Sequence, residues 1–74
     1  MHNFGYMLEC LKAGEYRARR TGWNGKNMYI QIQRPDEHSK NTLPYIYMIT
    51  ATGDRVPWLA SQTDLLSNDW ELVD

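Results

Sequence analysis

The feature that most constrains this chain is a pair of period-two runs. Met28, Ile30 and Ile32 alternate with Tyr29, Gln31 and Gln33, and Tyr45, Tyr47 and Ile49 alternate with Ile46, Met48 and Thr50. Successive side chains of a strand point to opposite faces, so both runs read as strands, the second over about 44–51. Arg34 to Asn41, with Pro35, Asp36, Glu37, Ser39 and Lys40, has no periodicity and reads as a loop. It is too short for the crossover helix that parallel neighbours require, so the pair is antiparallel.

The remaining segments fit around that pair. Asn3 is placed to cap a helix over 4–13, where Phe4, Leu8 and Leu11 form one stripe and Gly14 supplies a left-handed stop. From Glu15 the period changes, with Tyr16 and Ala18 alternating with Arg17 and Arg19 as in a half-buried strand. The segment Thr21 to Asn27 contains Asn24-Gly25, a pair that readily takes positive φ and turns one strand into the next, displaying Trp23 on a hairpin tip. Thr52-Gly53-Asp54 leads into a short fourth strand, Arg55 to Trp58, whose Pro57 suits an edge or a bulge. Ser61 or Thr63 caps a short helix over 63–67, with Asp64 in its first turn, and Trp70 to Val73 makes a last strand. The expected fold class is α+β: a small, mainly antiparallel sheet of about five strands, an N-terminal helix, and a short helix before the last strand. Residues 1–74 form one domain.

A chain of 74 residues buries a thin core. The candidates are Phe4, Leu8, Leu11, the apolar positions of 28–32 and 45–51, Trp58, Leu65, Leu66 and Leu72. Self-association is one remedy for so small a core. Tyr29, Tyr45 and Tyr47, at strand spacing, suit a subunit interface or the core. The single cysteine, Cys10, excludes an internal disulfide and cannot hold a metal alone, which fits a reducing compartment. The formal charge of −1 gives no net attraction to polyanions, so neither DNA nor RNA is expected as partner. No apolar run approaches the ~20 residues of a membrane span. The expected location is the cytoplasm.

The residues favour binding over catalysis. His2 and His38 are far apart and lack a Cys or carboxylate at ligand spacing, so no metal site is expected. Ser39, Ser61 and Ser67 have no nucleophile context, Walker-type phosphate loops are missing, and nothing selects a carboxylate pair. No catalytic residue and no cofactor are expected. The three tryptophans stand out instead, each beside short polar residues: Gly22-Trp23-Asn24-Gly25, Pro57-Trp58-Leu59-Ala60-Ser61-Gln62-Thr63-Asp64 and Asn68-Asp69-Trp70. An indole offers a flat apolar face and one N–H donor, so Trp23 and Trp58 can stack on a planar ring such as a nucleobase. Asn24, Gln62 and Asp64 can then read donors and acceptors on its edge, and Arg19 or Arg20 can meet a phosphate with the guanidinium fork.

The same blocks carry a resemblance. Asn3-Phe4-Gly5, Leu11-Lys12-Ala13-Gly14, the run from Arg20 through Gly22-Trp23-Asn24-Gly25 to Tyr29, and the run from Val56 to Trp70 together resemble the second Thoeris anti-defence family of phages and prophages. The resemblance implies a noncatalytic sponge. Such a protein binds the cyclic ADP-ribose-type signal made by a TIR-domain protein during Thoeris defence and holds it uncleaved, inside the infected bacterial host. It also implies a homo-oligomer, typically a tetramer, with pockets between subunits. At matching positions Trp23 and Trp58 would stack on the ligand and Asn24 and Asp64 would read it, with Phe4 and Gln62 near the pocket. Some relatives act similarly on cyclic oligonucleotides of other antiphage systems. A protein-binding adaptor, with Trp and Tyr as its hot spot, is the rival from another class.

Overall fold

The computed structural model describes residues 1–14, 16–23, 27–35 and 42–73. Helix α1 (Phe4–Ala13) is followed by strands β1 (Arg17–Arg20), β2 (Tyr29–Gln33), β3 (Tyr45–Ile49) and β4 (Arg55–Pro57). Helix α2 (Gln62–Leu66) and strand β5 (Trp70–Val73) complete the chain. Type and order match the sequence reading in every element. The α2 range begins one residue earlier than expected because Ser61, not Thr63, is its cap.

Both helix starts are set by side chains. Asn3 accepts the Tyr6 N–H at 2.8 Å, and Gly14 ends α1 at φ 85°, a conformation that glycine adopts without steric cost. Arg34 reaches back from the end of β2 to donate to the Lys12 carbonyl, placing a cation at the negative end of α1. At α2, the Ser61 hydroxyl accepts the Asp64 N–H at 3.0 Å while the Asp64 carboxylate accepts the Ser61 N–H at 2.9 Å. This reciprocal capping box fixes a helix of five residues that would not hold alone.

The five strands lie in the order β4-β3-β2-β1-β5, all neighbours antiparallel. Adding β5 beside β1 joins the two ends of the chain, with Arg20 opposite Trp70 and Arg17 opposite Val73. His2 extends this pairing by exchanging backbone hydrogen bonds with Trp70 at 2.8 and 3.1 Å.

One face of the sheet carries α1. Met7 and Leu11 of the helix and Ala18, Ile30 and Trp70 of the sheet are fully buried together, with Phe4, Trp23, Ile46, Met48 and Trp58 packed around them. Two expectations about the core need correction. Leu65, Leu66 and Leu72 are exposed by 41, 78 and 37%, since α2 is only one and a half turns long and packs beside α1, and Leu72 stands on the edge strand β5. Leu8 is only half-buried, and Met7 takes the central place the stripe assigned to it. Trp70, whose neighbours are polar in sequence, is the largest fully buried side chain.

Candidate functional site

An aromatic cluster stands where α1, the end of β1, the end of β4 and the start of β5 meet. Trp70 is its centre. Trp23 presents its ring edge-to-face to Trp70 at 5.5 Å and 79°, and Trp58 does so at 6.0 Å and 86°. Phe4, on the first turn of α1, packs against both Trp70 at 5.5 Å and Trp58 at 6.1 Å. Edge-to-face geometry matches the positive ring edge to the negative ring face and fixes the angle between neighbours. Trp23, Trp58 and Phe4 are half-buried, so each gives part of its surface to the core and keeps part for solvent.

The backbone holds these rings by short links. Trp23 follows β1 through a turn in which its N–H donates to the Arg20 carbonyl at 3.2 Å. Trp58 leaves β4 just after Pro57 and donates its N–H to the Ile46 carbonyl at 3.0 Å. Trp23 is thus packed on the core and not simply displayed on a hairpin tip. The apolar surface of a ring of this size is too large for a turn to leave in water when Trp70 offers it a face.

Beside the rings lies a charged cluster. Arg20 Nε donates to Asp69 Oδ1 at 2.9 Å and Nη1 donates to Asp64 Oδ1 at 3.1 Å, so one guanidinium ties β1 to the start of β5 and to α2. Thr21 adds a hydroxyl donor to Asp69 Oδ2 at 3.3 Å, and the indole N–H of Trp70 donates to the Asp64 backbone carbonyl at 3.0 Å. The side chains of Asp64 and Arg20 keep only 13 and 20% of their exposure, which separates this network from an ordinary surface ion pair.

The electrostatics follow from these contacts. Hydrogen bonding to Asp69 above all holds the Arg20 guanidinium above its ordinary range, and the bond from Arg20 holds the Asp69 carboxyl below its own. At Asp64 burial pushes the carboxyl up, but the bonds from Ser61 and Arg20 outweigh it and the net shift is down. All three groups are therefore charged at neutral pH. Two carboxylates against one guanidinium leave the cluster with an excess of one negative charge.

The structure brings together five of the eight residues singled out in the sequence, and Arg19 pairs with Glu71 at 2.7 Å instead. Phe4, Trp23 and Trp58 line the aromatic cluster, while Arg20 and Asp64 form the network beside it. Gln62 is the exposed first residue of α2, one position after the capping serine. Asn24 lies outside the described residues. Two neighbours had been given no role in the site, although their block stands out in the sequence: Asp69, which shares Arg20 with Asp64, and Trp70, which anchors both outer indoles. Their signal was the pairing of β1 with β5, which links residues about fifty positions apart and leaves no local periodicity. Among the described residues, no group of three or more His, Cys, Asp and Glu side chains is arranged to hold a metal ion.

Comparison with known proteins places this geometry. The model of the Thoeris anti-defense 2-like domain matches residues 2–73. Thoeris anti-defense 2 of Bacillus phage SP01 is 34% identical over 84 aligned residues, which cover 96% of this chain and 93% of that protein. The matched region takes in every described strand and helix, including both tryptophan-bearing blocks and the Arg20 network. The chain belongs to the Thoeris anti-defense 2-like family.

Proposed function

We propose that this chain is a phage anti-defence protein that opposes Thoeris by binding a cyclic ADP-ribose-type signalling nucleotide and sequestering it without cleavage. It acts in the cytoplasm of the infected bacterial host and works as a homo-oligomer. The family and its anti-Thoeris name supply the class of function. The observation that carries the ligand chemistry is the pair of half-buried indoles, Trp23 and Trp58, both held edge-on by Trp70. Rings fixed in this way lose little freedom when an adenine stacks on them, and stacking on aromatic side chains contributes about 1–3 kcal/mol per base.

The neighbouring charges refine the reading. Arg20 is already shared between two carboxylates, so it serves mainly to hold Asp64 and Asp69 in place, and the acceptor-rich rim favours the N–H edge of a base. Phosphate recognition then falls to other donors. Sequestration asks for affinity and abundance and not for complementarity to a transition state.

The test is recovery of the captured molecule. Purified protein is incubated with the product of a Thoeris TIR-domain protein, washed, heat-denatured, and the released material identified by mass. Release of the intact cyclic nucleotide supports the sponge. Release of a linear product would make the protein a hydrolase, and release of nothing would remove the nucleotide reading.

A further inference from the structure

Strand alternation separates the arginines of β1. Arg17 and Arg19 share one face of the sheet, while Arg20 shares the other with Ala18, which is fully buried against α1. Arg20 is thus a cation on the core side, opposite Trp70 in the pairing with β5. A charge in that place is held only if it is paired, and both its carboxylates come from distant segments, Asp64 from α2 and Asp69 from the residue before β5.

The bonds around Arg20 run without a gap from one outer indole to the other. The Trp23 N–H donates to the Arg20 carbonyl at 3.2 Å, and Arg20 Nη1 donates to Asp64 Oδ1 at 3.1 Å. The other oxygen of that carboxylate accepts the Ser61 N–H at 2.9 Å, and Ser61 follows Trp58 by three positions. Asp69 braces the same path from the side of β5. Its carboxylate accepts from Arg20 Nε at 2.9 Å and from the Thr21 hydroxyl at 3.3 Å, and its backbone carbonyl accepts the Thr21 N–H at 3.1 Å. Trp70 gives both outer rings a common wall, but aromatic contacts tolerate centroid separations of about 4.5–7 Å. Hydrogen bonds are far narrower in distance and angle, so the path through Arg20 is what can fix the gap between the rings.

We propose that Arg20 is a positioning residue of the nucleotide site: it holds the segments that carry Trp23 and Trp58 at the spacing at which both rings meet the ligand, without touching the ligand itself. This rests on the nucleotide reading of the aromatic cluster. An arginine beside a stacking ring otherwise reads as a phosphate clamp, and here the guanidinium would have to leave two carboxylates to become one.

The two roles have opposite consequences for Asp69. In a phosphate clamp Asp69 competes with the ligand for Arg20, so removing its charge strengthens capture. In a positioning role Asp69 is half of the anchor, so removing its charge loosens the gap and weakens capture. A lysine at position 20 keeps the cation but lacks the planar fork that is divided between the two carboxylates.

The experiment is calorimetric titration with the purified cyclic product of a Thoeris TIR-domain protein, alongside near-UV circular dichroism of the unliganded proteins. It compares wild type, Asp69→Asn, Arg20→Lys, Trp58→Ala and the double variant Trp58→Ala/Asp69→Asn. Titration separates the number of competent sites from their affinity, so a variant that is merely less stable loses sites and keeps its affinity. Asp69→Asn and Arg20→Lys are expected to keep their stoichiometry, to bind about 3- to 30-fold more weakly, and to change the near-UV signature of the indoles with the far-UV spectrum intact. With Trp58 already removed there is no gap left to set, and Asp69→Asn should weaken binding by less than about twofold further. If Arg20→Lys fails to fold, Asp69→Asn decides alone. An Asp69→Asn protein that binds as tightly as wild type or more so, that loses sites alone, or that loses the same factor with and without Trp58 would overturn this proposal and leave the nucleotide reading standing. A folded wild type that binds nothing would overturn the nucleotide reading and this proposal with it.

Discussion

Trp70 donates its indole N–H to the backbone carbonyl of Asp64 at 3.0 Å, so the most buried ring of the molecule also ties the start of α2 to the sheet. One side chain thus connects the core to the charged cluster. Truncating it removes packing and leaves a carbonyl without its donor.

Trp70→Phe is therefore expected to cost more than the lost ring volume alone. An orphaned buried acceptor adds about 1–3 kcal/mol to the packing loss. Thermal unfolding should show a fall in Tm of about 10 °C or more for a domain of this size. A change of only a degree or two would mean that the bond to Asp64 contributes nothing.

The core centres on Met7 and not on the leucines of α2. Met7 is fully buried, and Met7→Ala is expected to cost about 2–5 kcal/mol. Total stability for 74 residues is roughly 4–11 kcal/mol, so this one change removes a large part of it. Leu66 is 78% exposed, and Leu66→Ala in the dilute chain should stay within about 0.5 kcal/mol. Denaturant unfolding of the two variants side by side checks the contrast, and equal losses would contradict it.

The carboxylates on Arg20 give stability a defined dependence on pH. Asp64 and Asp69 are both held below their ordinary value of 3.8 in the folded chain. A depressed folded value means the unfolded state binds protons first, so this contribution is full above the unfolded pKa and is lost as pH falls through the folded one. Asp69→Asn resembles the protonated acid. Its Tm should lie below wild type at about pH 6, and the gap should close as pH falls below 3.8. A gap that stays constant to low pH would show that ionisation of Asp69 is irrelevant to the fold.

Removing the outer indoles should separate binding from folding. Trp23→Ala and Trp58→Ala each remove one stacking face while Trp70 keeps the core closed. Nucleotide affinity should fall by about 5- to 150-fold for each, the equivalent of 1–3 kcal/mol. Circular dichroism should retain the spectrum of wild type. Unchanged capture by both variants would take the tryptophans out of the site.

Much of this was legible in the sequence because it is local. The period-two runs gave β2 and β3, and Asn3 and Gly14 gave the ends of α1, while the start of α2 stayed open between Ser61 and Thr63 until the capping box settled it. The motif blocks gave the family. What stayed hidden depends on pairing between distant segments. Only the register of β1 against β5 puts Arg20 beside Trp70 and within reach of Asp69, turning an expected phosphate fork into a tie between carboxylates. Leu65 and Leu66 misled because their apolar character says nothing about how far a five-residue helix reaches over a sheet. Trp70 was hard to place for the opposite reason, since Asn68 and Asp69 beside it are polar while the strand itself turns its ring inward.

The most direct test of the central claim is calorimetric titration of the purified wild-type chain with a panel of cyclic ADP-ribose isomers and cyclic oligonucleotides. The account predicts saturable, stoichiometric binding of a cyclic ADP-ribose isomer, with the ligand recovered intact afterwards. Absence of binding across the panel by folded protein would contradict it and turn attention to a protein partner.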